Sequence, residues 1–321
     1  MSEYLLQQTR VDTVLKHWQR FHGLFPTPFA LAQADAEDVR AAWSGLGYYR
    51  RAGYLHHAAK QIVSKHSGVV PKTAEDLAAL PGVGRYTLGA VASHAFNLPF
   101  PILDGNVMRV LSRLDHITEN IQSSTTQKRL WLRAEALLPS HNPRDFNQAL
   151  MDLGATVCSP KKPLCHLCPW QHDCRAHRRG VAESVPIRIR KNKVPTTFRA
   201  ALVVTDKNDR LLLQQRPSGG LLARMWEPVA CDIDDPSDSL VHVKKLSKQL
   251  KTRATPKLAG TISHRFTHRV WAVSVFTLTL RQVSEYSSER CRWVPIDDLD
   301  KLGVPTVTRK MLQCAGLNRT S

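Results

Sequence analysis

The sequence predicts two domains of different class, an all-helical one followed by an α+β one, and three observations carry the prediction. The chain has 321 residues, enough for about two cores of ordinary size. Apolar residues recur at helical spacing up to residue 178, and period-2 runs take over beyond residue 196. Between them RAHRRGVAESVPIRIRKNKVP, residues 175–195, holds seven Lys/Arg against one Glu and no apolar stripe. The expected division is therefore a helical domain at 1–178, a basic linker at 179–195 and an α+β domain at 196–316. The linker reads either as a solvated connector or as a strap along a polyanion.

Lysine and arginine total 45 against 27 acids, a net charge of +18, which makes a polyanion the first partner to expect. Nucleic acid fits better than a membrane, because no run of roughly 18 or more apolar residues occurs and no signal-peptide pattern opens the chain. A reducing, intracellular compartment is the expectation. Seven cysteines are an odd number, and four of them fall within 17 residues, which suits a metal site better than a disulfide framework.

In chain order, Val11, Val14, Leu15 and Trp18, then Leu55, Ala58, Ala59 and Ile62, mark two amphipathic helices. Thr73 and Asp76 have the spacing of a capping box, and Pro71 and Pro81 punctuate the segments around them. LPGVG (80–84) ends one helix and opens another with Leu88 and Val91 on its apolar face. Its two glycines allow positive φ and close approach of the backbone, and the free N–H groups of a new helix attract an anion such as a phosphate. A tight helix–helix connection explains the same residues. In FPILDGNVMRV, Asp104 stands where a helix cap belongs, with Val107, Val110 and Leu111 as the apolar side. Cys158, Cys165, Cys168 and Cys174 follow as C-x6-C-x2-C-x5-C, and thiolates at such spacing ligate zinc or an iron–sulfur cluster. Cys231, Cys291 and Cys314 are scattered and read as small buried apolar residues. ALVVT, the turn DKND, RLLLQQR and VWAVSVFTLTL then give strands, with one amphipathic helix near 238–251.

The rhythm of the four cysteines resembles the [4Fe–4S] loop of the endonuclease III superfamily of DNA glycosylases, and LPGVGRYTLGA resembles that superfamily's helix-hairpin-helix. The resemblance implies Cys158, Cys165, Cys168 and Cys174 as cluster ligands, and Gly82 and Gly84 against the DNA backbone. Superfamily members that also cut the strand carry a lysine just after this GVGR, whose amine attacks C1′. Tyr86 stands there, so the chain resembles the branch that only removes a base.

SEYLLQQTRV, GLGYYRRAGYL and FPILDGNVMRVLSRL resemble the A/G-specific adenine DNA glycosylases, the MutY family, and the likeness extends over nearly the whole chain. It implies excision of adenine mispaired with 8-oxoguanine or guanine in double-stranded DNA, by a monomer that repair or replication proteins recruit. Departure of a base leaves positive charge on the sugar, so one carboxylate must stabilise that charge while another acid protonates the base. The resemblance gives Glu3 the general-acid role at adenine N7 and in water activation, and Asp104 the sugar-stabilising role. Asn106 and Tyr86 become supporting polar groups. Gln8 and Tyr48, with Leu46 alongside, match residues that wedge into the duplex while the adenine is flipped out. By pattern alone Glu3 is a helix-start charge, Gln7 and Gln8 an exposed helix face, and Tyr48 and Tyr49 a half-buried pair.

RLLLQQRPSGGLLARMWEPV resembles the strand-loop portion of a nudix-like domain, but the nudix metal signature G-x5-E-x7-R-E-x2-E-E does not follow it. The implied role is reading the lesion through Phe266, Thr267 and His268, where the family usually has F-S-H; without the resemblance HRFTH is a turn with exposed histidines. Thr267 adds a methyl that crowds the base it would contact. The family carries roughly 25 to 35 residues before this opening stretch, a few helical turns and a loop. For a chain opening at Met1 the expectation is a frayed Glu3, kept ionised by the neighbouring α-ammonium, in a protein that binds mispaired DNA better than it cuts it. A bifunctional pyrimidine-lesion glycosylase/lyase and a catalytically weak mismatch-binding protein are the rival readings.

Overall fold

The structure is a computed structural model and describes residues 1–189, 194–250, 252, 254–280 and 290–317. Residues 190–193 of the expected linker, and residue 251 of the expected helix near 238–251, lie outside the described residues. The helices before the linker are α1 (Ser2–Leu6), α2 (Val11–Leu24), α3 (Pro28–Gln33), α4 (Ala36–Ala42), α5 (Arg50–His66), α6 (Ala74–Ala78), α7 (Arg85–Phe96), α8 (Gly105–Leu114), α9 (Ser124–Leu137), α10 (Pro143–Asp152) and α11 (Arg175–Arg178). Strands β1 (Thr196–Asp206), β2 (Arg210–Gln215) and β3 (Trp226–Ile233) follow, then α12 (Ser239–Gln249), β4 (Lys257–Arg265), β5 (Val270–Leu280), β6 (Cys291–Pro295) and α13 (Thr306–Cys314).

Packing gathers these elements into two compact units, Met1–Tyr4 with Ser64–Lys191, and Leu5–Val63 with Asn192–Ser321. The expected boundary at 179–195 assigns everything before it to one domain, whereas by contact Leu5–Val63 goes with the sheet.

The first unit is built around α8. Val107, Val110, Leu111 and Leu114 recur at i, i+3, i+4 and i+7, the spacing of one helix face, and pack with Leu130 and Ala134 of α9 and Leu150 of α10. Asp104 caps α8 by accepting the Val107 N–H at 2.7 Å. The Thr73 hydroxyl caps α6, accepting from Asp76 N–H at 3.2 Å and donating to its carboxylate at 2.8 Å. The face expected for α7 differs. Leu88 and Val91 are half-buried, and Thr87, Gly89, Ala90, Ala92 and Ser93 form the buried side. The reason is close approach: a Cβ on Gly89 would lie 2.2 Å from the Pro101 carbonyl oxygen, so small residues face inward.

The second unit holds a six-stranded sheet in the order β4-β5-β1-β3-β2-β6. β1 pairs parallel with β5 over eleven residues from Thr196↔Val270 to Asp206↔Leu280, and the other pairings are antiparallel. β1 is central, and alternation sorts its side chains between two cores. Ala201 and Val203 pack with α13 through Val307 and Met311, while Ala200, Leu202 and Val204 pack with α12 through Val243. Cys231, Cys291 and Cys314 are half-buried at the margins of these cores. The helical segment belongs to the same unit. Tyr49 packs on the α13-side core, the Ser44 hydroxyl donates to Val304 O at 2.5 Å, and Glu37 accepts from Trp226 Nε1 at 2.7 Å and Arg292 at 2.6 Å.

Candidate active site

Three polar groups of the first unit share one neighbourhood. Burial pushes the Tyr86 phenol well above its ordinary range, and the charges of Glu3 and Asp104 push the same way. Burial also raises the Glu3 carboxyl, against the opposing pulls of His94 and the α-ammonium. The pull of the α-ammonium toward the ionised form is present as expected, but desolvation outweighs it and the net shift of the carboxyl is upward. The expected fraying is corrected, because Tyr4 is 6% exposed, Leu5 is fully buried, and the Tyr4 hydroxyl donates to the Pro81 carbonyl at 2.5 Å.

Asp104 is fixed on both sides. One carboxylate oxygen caps α8, and the other accepts from Asn106 Nδ2 at 3.0 Å. Asn106 is oriented in turn by Arg109, whose guanidinium donates to Asn106 Oδ1 at 3.0 Å and to Gly154 O at 2.6 Å. A Cβ on Gly154 would fall 2.6 Å from Asn106 Cβ, so only glycine lets that segment close behind the asparagine. In the hairpin turn only Gly82 uses a positive φ, at 82°. Gly84 is extended at φ −89° and is the cap residue of α7, and nothing lies within 4 Å of a Cβ built on it.

The four cysteines gather in the same unit. Cys158 and Cys174 pack at the edge of the α8 core, and Arg113 donates to Cys158 Sγ at 3.2 Å while the Cys174 thiol donates to Arg113 O at 3.4 Å. Cys165 and Cys168 sit on one turn, joined by Cys168 N–H to Cys165 O at 3.1 Å. Burial raises both thiols, and the thiols of Cys158 and Cys174 act on both, so the four stand within electrostatic reach of one another. Among the described residues no three His, Cys, Asp or Glu side chains come close enough to hold a single metal ion.

The second unit carries the groups expected at the lesion. Gln8 is exposed with φ +52°, and Tyr48 is 46% exposed with φ +46°, both in the left-handed region that non-glycine residues rarely adopt. Leu46 differs from expectation: at 4% exposure it supports the Gly45–Tyr48 loop from inside instead of standing out beside Tyr48. Arg51 holds this loop in place. Its buried guanidinium donates to Leu5 O at 2.8 Å, Thr9 Oγ1 at 2.8 Å, Gly47 O at 3.0 Å and Leu46 O at 3.4 Å, and lies 5.1 Å from the Trp43 ring. Burial pushes that guanidinium down to about 10. Phe266, Thr267 and His268 form the turn between β4 and β5, closed by Phe266 N–H to Arg269 O at 2.8 Å. Thr267 and His268 are exposed, Phe266 packs edge-on against Trp271 at 4.9 Å, and Thr267 Oγ1 lies 2.9 Å from Tyr48 Oη. All these groups line one cleft of about 1570 Å³, whose wall also carries Arg216, Arg224 and Arg269.

Arg51, Tyr4, His94 and Arg109 were not singled out from the sequence. Arg51 alone left a signal, being a charge four residues before Leu55 on the apolar stripe of α5.

Comparisons with known proteins give the family. Residues 1–136 match the family profile "HhH-GPD superfamily base excision DNA repair protein", and residues 200–314 match "NUDIX domain". The chain is thus a base-excision DNA glycosylase with a nudix-like domain behind it. It is 35% identical to the adenine DNA glycosylase of Rattus norvegicus, over 98% of this chain and 70% of that protein. It is 29% identical to that of Buchnera aphidicola subsp. Acyrthosiphon pisum, over 98% and 88%. Among solved structures, a thermostable thymine-DNA glycosylase aligns with TM-score 0.49 and 29% identity, over 56% of this chain and 82% of that one. The chain belongs to the adenine DNA glycosylase family, whose members hydrolyse N-glycosyl bonds in base excision repair. No helix among the described residues is long and apolar enough to cross a membrane.

Proposed function

We propose that the protein excises adenine paired with 8-oxoguanine or guanine, by hydrolysis alone and without cutting the strand. The adenine leaves the stack, because its N7 and the sugar face are otherwise covered by neighbouring bases. The Glu3 carboxyl, shifted upward by burial toward the acid form the role needs, donates a proton to adenine N7. The bond from C1′ to N9 then breaks with its electron pair going to the base, and the Asp104 carboxylate stabilises the positive sugar. Water adds to C1′, and its proton returns to Glu3. Asn106 and Tyr86 hold the polar surroundings of the two acids. Tyr86, standing where a strand-cutting relative has lysine, offers no amine for a Schiff base.

The electrostatic action of Glu3 and Asp104 on Tyr86, beside the membership in the adenine DNA glycosylase family, is what supports this reading. Gly82 and Gly84 take a DNA phosphate at the hairpin, and Gln8 and Tyr48 fill the space the flipped base leaves. Phe266, Thr267 and His268 read 8-oxoguanine. The residues of 1–178 supply excision and those of 196–316 reading, with 179–195 as the basic strap. Cys158, Cys165, Cys168 and Cys174 hold a [4Fe–4S] cluster, which when bound cross-links its loop through four iron–thiolate bonds. The enzyme works inside the cell on the chromosome, as a monomer that repair or replication proteins recruit.

Single-turnover excision on duplexes with adenine opposite 8-oxoguanine, guanine or thymine tests the reading. The expected order is 8-oxoguanine, guanine, thymine, with no covalent adduct on borohydride treatment of abasic DNA. Efficient trapping, or release of an oxidised pyrimidine in preference to adenine, would refute it.

A further inference from the structure

α1 has five residues, far short of the roughly 12 to 15 at which a helix holds itself together in water, so its position depends on what ties it down. Within the first unit that tie is Tyr4. Its ring is 6% exposed, and its hydroxyl donates to the carbonyl of Pro81 in the Leu80–Gly84 turn, at 2.5 Å. Burial raises the phenol far above its usual range, so it stays a neutral donor. Glu3 is the adjacent residue, and one helical step of about 100° turns its carboxyl to a different side from the Tyr4 ring.

We propose that Tyr4 is a positioning residue for excision: its hydroxyl, anchored on the Pro81 carbonyl, sets where Glu3 stands against Tyr86 and Asp104. The proposal rests on the reading of Glu3 as the general acid. The same carbonyl belongs to the hairpin turn, so the acid and the phosphate-facing backbone are one hydrogen bond apart in the chain of contacts. General-acid catalysis is sensitive to displacement, a misplacement of about 1 Å costing up to ~10²-fold.

Tyr4→Phe removes the hydroxyl and keeps the buried ring. The expected result is a single-turnover excision rate lower by about tenfold to a hundredfold, with DNA affinity within about twofold of wild type. The pH profile should move as well: a loosened α1 admits water to Glu3, so the loss of rate with rising pH sets in at lower pH. Tyr4→4-aminophenylalanine returns an N–H donor to the same ring position and should recover most of the rate, which a merely destabilised fold would not predict. On a Glu3→Gln background, Tyr4→Phe should lower the rate no further. A Tyr4→Phe protein at the wild-type rate, failure of the amino analogue to rescue, or an equal loss from the residual rate of the Glu3→Gln background would each overturn the proposal while Glu3→Gln alone stays slow. Wild-type excision by Glu3→Gln alone would instead overturn the general-acid reading, and the proposal with it.

Discussion

Asp104 does two jobs, and replacing it separates them. One oxygen caps α8 through the Val107 N–H, and the other accepts from Asn106 Nδ2. Asp104→Asn keeps an oxygen for the cap, and asparagine caps about as well as aspartate, so that part costs only a few tenths of a kcal/mol. Its new amide N–H groups face the Asn106 amide, donor to donor, and losing that hydrogen bond costs about 1 kcal/mol. Asp104→Ser caps without the opposed donors and should be about as stable as Asp104→Asn or slightly better. Asp104→Ala also loses the cap, which costs about 1 kcal/mol in itself. Urea denaturation should therefore rank serine and asparagine above alanine. Excision should not follow that ranking. All three remove the negative charge that the proposed mechanism sets beside the sugar, a change of the kind that costs about 10²–10³-fold in rate. The assay is single-turnover release of adenine from an A:8-oxoguanine duplex. If the asparagine or serine variant cuts within about tenfold of wild type, Asp104 is a cap alone and the mechanism fails.

Arg51→Met keeps the length of the side chain but leaves the carbonyls of Leu5, Leu46 and Gly47 without its N–H groups. We expect a loss of about 2–3 kcal/mol by urea denaturation, and a narrower preference for adenine opposite 8-oxoguanine over adenine opposite thymine. Glu227, 1% exposed, accepts two hydrogen bonds from Arg199 and one from Arg216, and Glu227→Gln should destabilise by about 3–5 kcal/mol. Burial pushes the Glu227 carboxyl up, but the hydrogen bonds and charges of the two arginines overcome it and hold it low. Its contribution is therefore complete above the ordinary glutamate range, about 4.3, and is lost as pH falls through the folded value; melting curves of wild type and variant should converge in acid. Cys168→Ser should lower bound iron and acid-labile sulfide in protein purified without oxygen; full occupancy in that variant would remove Cys168 from the ligand set.

Periodicity made the sequence legible where one face of an element is buried. α8 and β1 were readable because Val107, Val110, Leu111 and Leu114 share a helical face and Ala200 to Val204 alternate between two cores. α7 was read less well, since its buried side is made of Gly89, Ala90, Ala92 and Ser93, residues chosen for smallness that carry no hydrophobic signal. β3, β4 and β6 were not delimited, because β4 alternates between exposed and half-buried positions and β6 is short. Glu3 and Asp104 came from the resemblance, since an acid near a helix start has the same pattern whether it caps or catalyses. The groups that orient them, Tyr4, Arg109 and Gly154, act through contacts distant in sequence, which no local pattern encodes.

The hold of the sheet on Leu5–Val63 bears on how this protein can be dissected. The two family profiles, at 1–136 and 200–314, invite cutting the gene between them. Such a cut takes Trp226 and Arg292 from Glu37, Val304 from Ser44, and the α13-side core from Tyr49, so α4 and the start of α5 lose the surface they fold against. Loss of adenine excision in a C-terminal deletion is then no clean test of the proposed lesion reading, because the deletion also removes what the loop carrying Tyr48 packs on. Point changes at His268 leave those scaffold contacts in place and test the proposed reading, whereas a change at Thr267 also removes its contact with the Tyr48 hydroxyl. For this chain the segments that the two profiles match are not the units into which its residues pack.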